Sequence, residues 1–165
     1  MDERDEHFLR RAAELAREAE ARGEVPIGAV IVSAEGEILA EASNETIARH
    51  DPTAHAEILA IRRAGENIGN YRLTGTTVYS TIEPCAMCAG ALVNARVKRL
   101  VYGAPDERFG SVRSKFELCD SPVLNHRIEI VAGVLEDECR RLMQDFFRAR
   151  RDVRKAPWRL DYFRL

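Results

Sequence analysis

Residues 76–104 constrain the fold more than any other stretch of the chain. TTVYSTI (76–82) is rich in β-branched and aromatic residues, and KRLVYGA (98–104) is a second apolar run of the same kind. Between them Glu83-Pro84 opens a helix that runs to about Asn94. A helix between two strands is the connection that parallel strands require, and such crossovers are almost always right-handed. The segment therefore predicts a parallel strand pair with a helix on one face.

The remaining segments extend this pattern. His7 to Ala21 carries Phe8, Leu9, Ala12, Leu15, Ala16 and Ala19 as a helical stripe amid charge, stopped by Gly23. PIGAVIVS (26–33) and EILAEAS (37–43) read as a hairpin around AEG. Asp51 and Pro52 predict a helix start, as N-cap and first helical residue, for a helix continuing through HAEILAIRRAG. Residues 105–126 read as irregular with a short helix near Lys115–Leu118, RIEIVAG (127–133) as a strand, and Glu136–Arg150 as an amphipathic helix. The order predicts a three-layer α/β/α fold, a mixed sheet with helices on both faces. There is no repeat or low-complexity linker, so one domain over 1–151 is expected, followed by a basic tail over 152–165.

Composition excludes several classes. With 45% hydrophobic and 32% charged residues the chain is of ordinary globular type. No apolar run approaches the roughly 20 residues of a membrane span, and the acidic N-terminus lacks a signal core. Four cysteines in 165 residues make no disulfide framework, so a reducing cytoplasm is expected. Net charge is −2, yet from Arg148 to Leu165 seven basic residues face two acidic ones. Such a tail suits phosphates, and equally suits a solvated helix end that complements the helix dipole.

Cys85 and Cys88, three apart in the first turn of the helix after β-rich 76–82, place two sulfurs on one face where the helix dipole favours thiolates. Alone, C-x-x-C fits a zinc half-site or a redox pair. His55, at the start of the other Pro-preceded helix, completes three ligands for zinc and leaves a fourth position for water. Glu57 is a residue a purely structural site has no use for. Two positions from His55 it points away as a ligand, but its longer side chain can reach the water and move its proton.

The H-x-E and P-C-x-x-C pair resembles the signature of zinc nucleobase deaminases. EVPIGAV (24–30), HDPTAHAEILA (50–60), NYRLTGTTVY (70–79), EPCAMCAGAL (83–92), NHRIEI (125–130) and DFFRARR (145–151) further resemble, in colinear order, the bacterial tRNA-specific adenosine deaminase family. The resemblance implies a cytidine-deaminase-like fold with a five-stranded mixed sheet, one zinc ion held by His55, Cys85 and Cys88, and Glu57 as proton shuttle. It implies hydrolysis of a wobble adenosine in a tRNA anticodon stem-loop to inosine, and a homodimer. It also implies substrate contacts at Asn44, Val25, Pro26, Ile27, Gly28, Ala56, Asp106, Phe147 and Arg150. Of the adjacent Phe146 and Phe147, about 100° apart on a helix, one is expected in the core.

The loop APDERFGSVRSKFELCD (104–120) departs from the family, which is small and Gly-rich there. Asp106 and Gly110 align, whereas Phe109, Val112 and Arg113 are bulkier. Two other readings stand beside the first: the same zinc chemistry on a free base or nucleoside, and a non-catalytic zinc module closed by Cys119 or Cys139.

Overall fold

A computed structural model describes residues 2–155; Met1 and residues 156–165, the end of the expected basic tail, lie outside the described residues. The elements in order are α1 (Glu3–Ala21), β1 (Gly28–Val32), β2 (Ile38–Ser43), α2 (Ala56–Ile68), β3 (Thr77–Ile82), α3 (Ala86–Asn94), β4 (Arg99–Ala104), β5 (Glu129–Ala132) and α4 (Glu136–Lys155). The five strands form one sheet in the order β2-β1-β3-β4-β5. β1 runs antiparallel to both β2 and β3, while β3, β4 and β5 are parallel. The crossover expected over 76–104 is present, and the sheet is mixed.

Alternation along the strands explains the layering. On β1, Ala29 and Ile31 face one core with Leu59 and Ala60 of α2 and Leu92 of α3. Val30 and Val32 face the other, with Phe8, Leu9 and Ala12 of α1 and Cys139 of α4. The same switch occurs between Val78 and Tyr79 on β3 and between Leu100 and Val101 on β4. Both faces are covered, so β1 is buried along its whole length. Fully burying a leucine such as Leu92 contributes about 2–3 kcal/mol.

Two local contacts fix α1 on the sheet. A Cβ at Gly28 would lie 1.9 Å from the Ala12 carbonyl oxygen, so only glycine lets the helix seat here. Asp5 accepts from both Arg99 guanidinium nitrogens (2.6 and 2.7 Å) and from the Tyr79 hydroxyl (3.1 Å). The Arg99 hydrogen bonds hold the Asp5 carboxyl below its usual range.

Several expected boundaries move. α2 starts at Ala56 with His55 as N-cap, because Asp51 spends its carboxylate locally, accepting from the Thr53 N–H (2.8 Å) and hydroxyl (2.7 Å) in a tight turn around Pro52. α3 likewise starts at Ala86 with Cys85 as N-cap. Residues 115–118 are not helical. α4 runs unbroken to Lys155, across the boundary expected after residue 151.

Candidate active site

The two inner-layer helices begin at the same place, beyond the ends of the central strands. His55 and Cys85 are their N-caps, yet neither makes a side-chain cap hydrogen bond. At α2 the cap is supplied from outside: Asn44 Oδ1, at the end of β2, accepts from the Ala56 N–H at 2.9 Å. His55 is thereby free to face the cysteines.

His55 Nδ1 lies 3.7 Å from Cys85 Sγ and 3.5 Å from Cys88 Sγ. Zinc bonds of 2.0–2.1 Å to nitrogen and 2.3 Å to sulfur at a tetrahedral angle put N and S about 3.6 Å apart. The one donor atom from each residue lies within 4.8 Å of the others. The residues fit a zinc ion. The Cys88 thiol donates to Cys85 and holds it as a thiolate down to about 4, against the opposing effect of burial, while Cys88 itself is pushed up. The Cys85 sulfur in turn raises His55. A divalent cation resolves this by favouring both thiolates.

Cys119 belongs to the inner core, and Cys139 lies on the opposite face of the sheet. Neither joins the triad, and among the described residues no fourth side chain does. Among the described residues the closed zinc module expected as an alternative has no ligand to close it.

Glu57 is 2% exposed. Burial raises its carboxyl above the usual range. Its partners are few: Ser80 Oγ at 3.2 Å and the Cys88 thiol at 3.6 Å. Ser80 also lies 2.8 Å from the Ile82 carbonyl, which can only accept. The single Ser80 proton is thus divided between two acceptors, and Glu57 receives only part of a donor from it.

Above these groups opens a cleft of about 990 Å³. Val25, Ile27, Asn44, His55, Glu57 and Cys85 line it, together with the 104–109 loop and one stripe of α4 made by Arg140, Met143, Gln144, Phe147, Arg148 and Arg151. Several expected contacts are therefore brought together: Asn44, Val25, Ile27, Asp106 and Phe147 all face this space. Others are not. Pro26 is buried, Gly28 sits beneath α1, and the Ala56 N–H is already taken by Asn44. Arg150 leaves the cleft for the other side of α4, where it donates to the Gly23 carbonyl (2.9 Å) with its guanidinium 4.8 Å from the Phe146 ring. Phe146 is the core residue of the pair.

Sequence reasoning missed Glu83. Its buried carboxylate accepts from the backbone N–H groups of Asp106 (3.0 Å), Val112 (3.1 Å), Arg113 (2.7 Å) and Ser114 (2.9 Å), and from the Ser114 hydroxyl. Burial opposes its charge, but these donors outweigh it and keep the carboxyl below its usual range. The 105–114 loop is wrapped around this anion. Gly110 pairs with Cys85 in an isolated antiparallel bridge, and a Cβ there would lie 2.3 Å from Glu83. The available signal was a glutamate trapped between a buried strand and a proline.

Residues 2–104 match the family described as the cytidine and deoxycytidylate deaminase zinc-binding region. The chain belongs to this deaminase family. Its relatives include the tRNA-specific adenosine deaminase of Haemophilus influenzae, 48% identical over 92% of this chain and 87% of that one. A solved structure from a study of A-to-I editing by tRNA:A34 deaminases at the wobble position of transfer RNA is 43% identical, with a TM-score of 0.79, covering 82% of this chain and 98% of that one. A guanine deaminase from Bacillus subtilis is 35% identical with a TM-score of 0.61, covering 92% of this deaminase and 95% of that one.

Proposed function

We propose that this protein hydrolyses adenosine to inosine at the wobble position of a tRNA anticodon, releasing ammonia. The observation that carries the reading is the zinc-ligand triangle of His55, Cys85 and Cys88 with Glu57 beside it, at the bottom of a cleft that arginines from two separate elements line. A free base needs neither that breadth nor Arg108, Arg148 and Arg151 at its rim. A phosphate backbone uses both.

Zinc bound by the triad supplies Lewis acidity that activates water for attack at a carbon bearing an amino group. The remaining work belongs to the chain. Glu57 accepts a proton from the attacking water and passes it to the ring nitrogen next to the reacting carbon. It then takes the remaining proton from the newly added hydroxyl and carries it to the departing amine, so that ammonia leaves and a carbonyl remains. Its burial and scarce hydrogen bonds keep its proton affinity high enough for both transfers. Asn44, already fixed by the Ala56 N–H, orients the nucleoside, and Val25 and Ile27 exclude water from one side of it.

RNA binding through the cleft arginines, a cytoplasmic setting and a homodimer complete the proposal; the setting rests on the cysteine content and the dimer on the family resemblance. Among the described residues no helix is long and apolar enough to cross a membrane. The deciding experiment is mass analysis of nucleosides after the zinc-loaded protein meets total tRNA and, separately, free nucleosides and guanine. Inosine in tRNA is the expected product. Conversion of the free compounds alone would overturn the reading. Sedimentation equilibrium tests the dimer.

A further inference from the structure

Phe109 is the residue on the cleft that folding does not explain. It is 69% exposed, although the backbone carrying it is tightly held. The N–H groups of Arg108 and Phe109 donate to Asp106 Oδ1 (2.9 and 3.2 Å), and that of Gly110 to the Asp106 carbonyl (2.8 Å). The Ser111 hydroxyl donates to the Phe109 carbonyl at 3.1 Å, and the Ser111 N–H to the Pro84 carbonyl at 2.8 Å. The next residue, Gly110, pairs with the metal ligand Cys85. A large apolar ring is thus presented to water from a fixed position, one residue from the floor of the site.

What such a ring can take is decided by its surroundings. Arg108 beside it and Arg148 and Arg151 on α4 line the same cleft, which favours an anionic partner with flat apolar faces. A single-stranded nucleic acid has both properties, because every base offers a π-face and every linkage a phosphate. The reacting base has to reach Glu57 and Cys85 at the bottom, so a ring at the rim meets a different base. We infer that Phe109 is a specificity-determining residue that stacks on a nucleotide adjacent to the one deaminated. This inference rests on the proposed RNA substrate and adds to its phosphate contacts a stacking contact made from the loop.

The test uses the full-length zinc-loaded protein, its Phe109→Ala and Phe109→Tyr variants, and RNA stem-loops carrying the target adenosine with each neighbouring base either intact or removed as an abasic site. Stacking of one base is worth enough that Phe109→Ala is expected to raise KM for the intact loop about tenfold, with kcat little changed. Phe109→Tyr should restore the lower KM. Removing the stacked neighbour should raise the KM of the unmodified protein by a similar factor and erase its advantage over Phe109→Ala. An equal KM for the two proteins on the intact loop would overturn the inference, as would an alanine penalty that persists on every abasic loop. A dimer that dissociates on Phe109→Ala would assign the ring to a second copy of the chain and overturn it too. If the unmodified protein forms no inosine in any loop, the functional reading itself fails.

Discussion

Glu57 and Glu83 are both buried carboxylates on one cleft, 2% and 1% exposed, and the protein treats them in opposite ways. Glu83 is surrounded by four backbone N–H groups and a hydroxyl, and its charge is the centre around which the rim is built. Glu57 has one serine and one thiol, and burial lifts its proton affinity. The difference teaches that burial alone does not set a carboxylate's role. The supply of donors decides whether it is fixed as an anion or left able to take up a proton.

The comparison breaks most easily at Glu57. Glu57→Gln keeps shape and burial but removes the exchangeable acid, so kcat should fall about 10³-fold or more while zinc content, read by elemental analysis, is retained. Loss of zinc would make Glu57 a ligand instead. Glu83→Gln should act the other way round, lowering unfolding stability by about 2–3 kcal/mol in urea, because charge-assisted hydrogen bonds to the loop are weakened.

The sign of the pH dependence sharpens this. Glu83 is held below its ordinary 4.5 in the fold, so its contribution is present above that value and lost as pH falls through the lower folded one. Acid unfolding should therefore be less steep in Glu83→Gln than in the unmodified protein. The smallest effect is expected at Asn44, which takes the capping role that His55 gives up. Asn44→Ala should cost about 1 kcal/mol of stability by urea unfolding and raise KM.

Much of this was legible in the sequence, and the boundary is physical. The strand–helix–strand of 76–104 and the apolar run of 26–33 pointed to a layered sheet, because burial on both faces imposes continuous apolar runs. The metal ligands could be read because zinc demands few residue types at tight spacing. Helix starts were misplaced at Asp51 and Glu83 for one reason: a capping residue is chosen by which local hydrogen bonds compete for its side chain, and these are tertiary facts. The cleft face of α4 was present as the spacing 140, 143, 144, 147, 148 and 151, but a stripe mixing arginine, methionine and phenylalanine does not stand out against an apolar one. Arg150 shows the converse. One position from the cleft stripe, it reads as part of the basic surface and is instead committed to Gly23 and Phe146.

The bridge between Gly110 and Cys85 has a consequence for a chain stripped of its ion. Cys85, whose backbone is paired with the rim at Gly110, cannot shift without tugging the segment that borders it. Chelation should then speed deuterium uptake at the amides of Ser111 and Arg113 while the far ends of the strands stay protected. On the proposed RNA substrate, the demetallated protein should bind the stem-loop more weakly as well as lose its chemistry, and reloading should mend both.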